Sequence, residues 1–321
     1  MPGMKEIKNR ISSVSDTQKI TNAMYMIAST KLRRAKQDLD STRPYFDSLE
    51  REIHRIFSIK DDVESVYFYP KGIHEDDDIG GTYGYLVITA DKGLAGAYNH
   101  NVIKKTMELM EKHDDNRLFV VGDVGRRYFE YHNVNIDESF LYMAQKPSFQ
   151  RADEMSKKLL DMYASGELTR LYIIYTDMKN SISQEVSFER LLPLDRDECR
   201  DEYVGAQIEA DGGESIANMN LDYEFMPSPS SVLDSIVPNA VTGYIYSALV
   251  DSFCCEQNAR MMAMDSANTN AEQIREALKM EYNHLRQNAI TQEITEVAAG
   301  AKAKRKKLER DKEKRLSKNG N

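Results

Sequence analysis

Two long stretches of this chain hold neither glycine nor proline, and they lie towards its two ends: Met4 to Arg43 and Tyr244 to Ala299. Proline breaks a helix outright and glycine weakens it, so where an apolar period runs through a stretch free of both, helix is the default. The second stretch, if wholly helical, reaches roughly 84 Å at about 1.5 Å per residue, far more than one globular layer needs. Long helices at both ends, with something compact between them, describe a chain built to reach into another object.

In the first stretch the apolar residues fall at Ile7, Ile11, Val14, Ile20, Met24, Ile27, Leu32, Ala35 and Leu39. Steps of three and four dominate, which places them on one stripe. Pro44 interrupts, but Leu49, Ile53 and Ile56 resume the period, so the helix is expected to kink and continue to about residue 58. Near the other end Ile274, Leu278, Tyr282, Leu285 and Ala289 make one stripe, and Ile290, Ile294, Val297 and Ala301 a second. Pro238 suits the first turn of this helix. Terminal helices flanking a domain most simply pair with each other, antiparallel; the heptad is not strict, which predicts an irregular pair. The second helix is the longer, so its tip overhangs. Ile290, Ile294, Val297 and Ala298 are too apolar for a lone helix in water, and such a surface marks a binding site.

The middle changes period. Gly84 to Ala90 and Leu118 to Val121 read as buried strands, as do Leu171 to Tyr175 and Val186 to Leu194. Helical segments near 99–113, 123–132 and 148–165 separate the first three, which is the signature of βαβ units and a mostly parallel sheet. A short strand is expected at Val66 to Tyr69, beside the acidic run Glu75 to Asp78. The expected fold class is α/β plus coiled coil: an antiparallel two-helix coiled coil of the terminal helices with an inserted Rossmann-like α/β domain. The expected divisions are 1–58 for the N-terminal helix, 82–195 for the α/β domain and 196–229 for an acidic linker. The C-terminal helix takes 230–301 and a basic extension 302–321.

The formal charge of −9 is unevenly spread. Residues 302–321 carry ten Lys/Arg against three acids, and residues 1–36 carry eight against two. Basic ends on an acidic chain imply different partners for different regions. Cys254 and Cys255 are neighbours whose side chains diverge on a helix, and with Cys199 they make no metal spacing, so reduced thiols in a cytosolic protein are expected. No apolar run resembles a signal peptide or membrane span. The six histidines are dispersed and no serine lies in a nucleophile elbow. Asp91 to Gly96 and Gly122 to Gly125 occupy the position of a nucleotide loop, but lack the residues that cradle phosphates. The expectation is no catalytic residue, no cofactor and no metal. Lys31, Arg33, Arg34 and Lys36 can bind nucleic acid or an acidic protein.

Three motifs then give a family. Lys5-Glu-Ile-Lys-Asn-Arg-Ile-Ser-Ser-Val and Thr17-Gln-Lys-Ile-Thr-Asn-Ala-Met-Tyr-Met-Ile-Ala form the first, continued by Lys31-Leu-Arg-Arg-Ala. Ile88-Thr-Ala-Asp-Lys-Gly-Leu-Ala-Gly-Ala-Tyr-Asn is the second. Glu256 to Met264 with Arg286-Gln-Asn-Ala-Ile-Thr-Gln-Glu-Ile-Thr-Glu is the third. In this order and separation they resemble the γ subunits of F-type ATP synthases, over nearly the whole chain. Ala95 stands where that family often has Cys, and Ala97 where it has Gly. The lack of a cysteine-bearing insert and of a transit peptide points to a bacterial member.

The resemblance implies a central rotor shaft, not itself catalytic, that couples proton flow through the membrane sector to ATP synthesis or hydrolysis in a ring of α and β subunits. It implies one copy per complex, with the ε subunit and the membrane c-ring as further partners. The location implied is the cytoplasmic side of the bacterial inner membrane, held there peripherally. It implies that Arg286, Gln287 and Thr291 contact β-subunit loops and that Lys31, Arg33, Arg34 and Lys36 face acidic β loops. The tip at Ile290, Ile294, Val297 and Ala298 would turn in an apolar bearing. It implies neither nucleic acid nor a small-molecule substrate. From the residues alone, a coiled-coil scaffold or nucleic-acid-binding protein with an inserted α/β domain is the alternative, and a nucleotide-binding enzyme a more distant one. The basic extension lies beyond where the family usually stops. If helical, it would emerge past the ring and meet the crown or stator cap.

Overall fold

A computed structural model of the chain describes residues 3–59, 63–70, 73, 80–113, 115–178, 183–196 and 225–318. Its elements run α1 (Met4–Ile59), β1 (Tyr83–Ile88), α2 (Tyr98–Met110), β2 (Asn116–Val121), α3 (Asp123–Tyr131) and α4 (Phe149–Ala164). They continue with β3 (Arg170–Met178), β4 (Gln184–Leu192) and α5 (Pro229–Lys318). They form two compact units, Met1–Met24 with Met264–Asn321, and Tyr25–Ala263. Both α1 and α5 contribute to each. Most of the expected 196–229 linker, and the run Glu75 to Asp78, lie outside the described residues.

The first unit is an antiparallel helix pair. Arg275 donates to the Gln18 side-chain oxygen at 3.2 Å, while Thr21 donates to the Asn268 side-chain oxygen. As one strand of contacts advances along α1, the other retreats along α5. The seam follows a heptad with departures: Ser15 and Met24 on α1 and Ala267 on α5 are half-buried beside it. Buried and half-buried positions on α1 fall at Ile7, Ile11, Val14, Gln18 and Thr21 in this unit, and the same alternation of four and three continues through Tyr25, Ala28, Leu32, Ala35 and Leu39 to Ile56. On α5 it runs Met264, Asn268, Ala271, Arg275, Leu278, Tyr282, Leu285, Ala289. This is the period of a left-handed coiled coil. The apolar pattern misled because four seam positions are polar. Ile20, Ile27 and Ile274, assigned to the stripes from sequence, sit one residue off the seam and are at least half exposed.

In the second unit the sheet order is β2-β1-β3-β4. β1 pairs parallel with β2 and with β3, and β4 closes one edge antiparallel to β3. Both faces are covered, which is why the strands read as continuous apolar runs rather than alternating ones. Tyr85, Val87, Leu118, Val120 and Ile174 pack with Val102 and Leu109 of α2 and Phe129 of α3. The opposite face, with Leu86, Ile88, Phe119, Val121 and Ile173, packs with Met155 and Leu159 of α4, Leu39 and Ile53 of α1, and Val241 and Ile245 of α5. At Val66 to Tyr69 there is no strand, only an isolated bridge between Phe68 and Leu194.

The two glycines after β2 serve packing. Gly122 has φ +95, and a Cβ there would meet the Thr89 carbonyl at 2.3 Å; one on Gly125 would meet Thr89 Oγ1 at 2.5 Å. The backbone N–H of Gly125 donates to that hydroxyl at 3.1 Å. Close approach of α3 to β1, rather than a phosphate, accounts for their spacing.

The expected place of Pro238, in the first turn of α5, does not hold. The helix begins at Pro229, not near Pro238, and Ser228 is its N-cap, accepting from the N–H of Ser231 at 3.2 Å. A capping serine followed by proline at the first helical position starts the helix here, and Pro229 rather than Pro238 fills that place. Pro238 lies inside the helix, and its carbonyl accepts from the Thr242 hydroxyl at 2.9 Å. At the other end α5 continues through the extension to Lys318.

A cleft of about 650 Å³ in this unit is lined by charged side chains that include Arg43, Asp177, Glu189 and Asp251. Burial first, and then the neighbouring Asp177 charge, push the Asp251 carboxyl up to about 6, against the opposing charges of Arg43 and Lys36. In the unfolded chain this group titrates near ~3.9. The folded state therefore holds the extra proton more tightly, and that contribution is complete below about pH 4 and lost as pH rises through about 6. Asp251→Asn is expected to stabilise the protein by about 1–3 kcal/mol at pH 8 and by almost nothing at pH 4, allowing for partial exposure. Urea denaturation at the two pH values measures this, and an equal effect at both would remove the titration from the account.

Candidate functional site

Two of the sequence motifs, far apart in the chain, meet at the end of β1. The Asp91 carboxylate accepts from the backbone N–H groups of Gln145 at 2.7 Å, Ala144 at 3.1 Å and Asp123 at 3.3 Å. The Asn99 side chain accepts from the Ala90 N–H at 2.9 Å. From α5, Arg260 donates to the carbonyls of Lys92 and Gly93 at 3.1 and 3.0 Å and pairs with Glu256 at 2.6 Å. Ala95 and Tyr98 pack against Cys255. The place where a nucleotide loop would offer backbone N–H groups to phosphates is thus tied to α5 through its carbonyls, and its carboxylate is consumed by neighbouring loops. The turn has a positive φ at Leu94 (+62), whose side chain points outward.

The Glu256–Arg260 pair is buried on both sides. Burial holds the Glu256 carboxyl above its ordinary value; the Arg260 charge opposes this, and Lys31 does so more weakly. Buried pairs are costly to break because the survivor is left charged and unsolvated. Neither residue stood out in the sequence as a unit, since their other partners lie on the turn at Lys92 and Gly93. Cys254 and Cys255 are buried and free, and burial pushes the Cys254 thiol up to about 12 and Cys255 higher still, so neither supplies a thiolate at neutral pH. Among the described residues no group of His, Cys, Asp and Glu is placed to hold a metal.

The residues expected to meet partners are placed as follows. Lys31, Arg33, Arg34 and Lys36 are all exposed. At 100° per residue they do not form one patch. Lys31 and Lys36 flank the seam, where their charges act on Glu256 and Asp251. Arg33 and Arg34 point away from it. Arg286, Gln287 and Thr291 are exposed on α5, with the Thr291 hydroxyl turned back onto the Gln287 carbonyl at 2.9 Å. Helical spacing puts Arg286, Ile290, Ile294 and Val297 on one stripe, and Gln287, Thr291 and Ala298 on the stripe beside it. The seam ends at Ala289, and every residue from 290 to 307 is exposed. Ile294 is 64% and Val297 73% exposed, so this apolar stripe has no cover within the chain's described residues.

A family model described as ATP synthase matches residues 3–303. The ATP synthase gamma chain of Caldanaerobacter subterraneus subsp. tengcongensis is 42% identical over 299 residues, covering 93% of this chain and 99% of the relative. That of Acetivibrio thermocellus is 39% identical over 303 residues, covering 94% of this chain and 99% of the relative. The chain belongs to the ATP synthase gamma-chain family. A relative from Acetobacterium woodii, 33% identical with 94% of this chain and 98% of its own length covered, is described as sodium ion specific. In solved structures, the fold is similar to a chain of the Euglena gracilis mitochondrial ATP synthase assembly of OSCP, F1 and c-ring, with a TM-score of 0.60 at 15% identity, covering 94% of each chain. It is also similar to one in the central stalk and c-ring of the Tetrahymena thermophila enzyme, with a TM-score of 0.53 at 21% identity, covering 77% of this chain and 99% of that one. None of these relatives is described as a scaffold or a nucleic-acid-binding protein.

Arg260→Ala leaves Glu256 buried and unpaired and frees two carbonyls of the turn. The expected cost is about 3–5 kcal/mol of stability, read as a shift of the urea midpoint, with Arg260→Lys recovering part of it. A loss below about 1 kcal/mol would mean that the pair is solvated and carries no such constraint.

Proposed function

We infer that this chain is the central rotor shaft of an F-type ATP synthase, transmitting rotation between an ion-driven membrane ring and the catalytic ring of α and β subunits. One observation carries the reading furthest: α5 outlasts its pairing seam, and its bare continuation is apolar on one stripe. That surface needs a sheath, and a collar of apolar side chains in the ring would supply it. On this reading the chain has no chemistry of its own. Its contribution is an asymmetric surface that biases each β subunit towards a different state, which requires contacts that differ from face to face. Arg286, Gln287 and Thr291 offer polar contacts beside the apolar stripe for one β loop, and Arg33 and Arg34 face acidic β loops. Lys31 and Lys36, close to Glu256 and Asp251, contribute less to such contacts than sequence reading alone would assign them.

The α/β domain would meet the ε subunit and the c-ring, one copy per complex, on the cytoplasmic face of the bacterial inner membrane. No helix among the described residues is long and apolar enough to cross a membrane, so attachment through partners is the arrangement this reading requires. The ion that drives rotation is set by the membrane ring, not by this chain.

Purification through a tag on this chain is expected to bring down α and β subunits at one copy of the chain per hexamer. Replacing both Arg286 and Gln287 by Ala should lower ATP-driven turnover of the complex by about thirtyfold, at roughly 1 kcal/mol for each lost interface contact, without changing that ratio. Recovery of the chain without α and β subunits would contradict the reading.

A further inference from the structure

The positive charge just beyond the apolar tip is not absorbed by that reading. Lys302, Lys304, Arg305, Lys306 and Lys307 follow the last apolar turn, are exposed, and enter no ion pair with the residues up to Lys307. No acidic residue interrupts them. On the helix Lys302 and Lys306 are four apart, and Lys304 and Lys307 three apart, so like charges stack as neighbours; Arg305, Lys306 and Lys307 have an acid three or four residues on, at Glu309 or Asp311, while Lys302 and Lys304 have none. The family match ends at residue 303, yet α5 continues to Lys318. Lys304 to Lys307 therefore lie outside the shared pattern, and Lys302 at its last turn.

The placement of these cations differs in kind from that of the apolar tip. Ile290, Ile294 and Val297 share one stripe. Lys304, Arg305, Lys306 and Lys307 are consecutive, and at 100° per residue they point into four different quadrants around the helix axis. The charge presented is almost the same from every direction.

Resting on the rotor reading, we propose that Lys302, Lys304, Arg305, Lys306 and Lys307 form a circumferential collar that runs against a ring of Asp and Glu side chains on the surrounding subunits, just beyond the apolar bearing. Against such a rim a one-sided patch would draw the helix off its axis towards whichever subunit it faced. A charge distributed around the axis attracts equally at every angle, so it centres the helix without opposing its rotation. The partner chemistry is thus specific: an acidic rim contributed by several subunits, not one acidic loop.

The test uses the assembled complex and measures how much of this chain is retained at salt concentrations from about 50 mM to about 500 mM, where screening removes exposed charge attraction. One variant replaces all five cations by Gln. Two others replace pairs on different sides, Lys304→Gln with Lys307→Gln, and Arg305→Gln with Lys306→Gln. A fourth ends the chain at Leu308, keeping the collar and removing the rest of the extension. The five-fold variant should dissociate about tenfold faster than wild type at low salt and lose most of its salt dependence. The two paired variants should lie between and match each other within about twofold, and the shortened chain should behave as wild type. A five-fold variant with wild-type salt dependence overturns the collar and leaves the rotor reading standing. One pair carrying the whole effect overturns the circumferential arrangement. Loss of salt-sensitive binding to duplex DNA in the five-fold variant, with its retention in the complex unchanged, assigns the cations to nucleic acid and also overturns the proposal. A complex that never contained this chain would instead defeat the rotor reading itself.

Discussion

Everything distinctive about this chain depends on a helix pair whose seam keeps a seven-residue period while admitting polar residues. Seam positions filled only by Leu and Ile would gain more burial but permit register slips, since one apolar knob fits another's hole. Arg275 with Gln18, and Thr21 with Asn268, match only at one offset and in the antiparallel sense. Polar seam residues give up stability for register. Small residues do comparable work elsewhere: Ala28 and Ala35 on α1 and Ala271 on α5 are almost wholly buried although they contribute little side chain, which requires the neighbouring backbone to approach closely. A pair with defined register resists twisting as a unit, which is the mechanical property a torque-bearing element needs.

Much of this was legible in the amino-acid order, for reasons that also explain what was not. Long breaker-free stretches with an apolar period predict α1 and α5, and four apolar runs bounded by turn residues predict the strands. The apolar count falls one residue off the seam at Ile20 and Ile274 because the seam residues there, Thr21 and Arg275, are polar, and at Ile27 because the buried residue is the small Ala28 beside it. Pro238 is misassigned to the first turn of α5 because two prolines compete for that role, and the Ser228–Pro229 pair at the real start carries the cap. The short strand at Val66 to Tyr69 failed because its pairing partner, Leu194, is distant in sequence and offers only a single bridge.

The knot formed by Asp91, Arg260 and Glu256 was the least legible part, and it shows how a familiar location acquires a different role. The carboxyl ends of the strands in an α/β sheet are where ligands ordinarily bind. Here that position is filled by the chain's own groups: an arginine from α5 takes the turn carbonyls, and an aspartate ties together the loops that would otherwise line a crevice. The residues that resemble a nucleotide loop are spent on fixing the turn to α5. Their reactive neighbours are equally quiet, with both thiols buried and protonated at neutral pH.

The account rests on this chain turning inside the ring that hydrolyses ATP. Tyr131, which lies on α3 and is 83% exposed, offers a place for a probe: with Tyr131→Cys carrying a bead and the catalytic ring fixed to a surface, rotation can be watched directly while ATP is consumed. The account predicts rotation in one direction that starts with ATP, slows as ATP is diluted and stops on its removal. A bead that only fluctuates about one angle while the ring hydrolyses ATP at its full rate would contradict it.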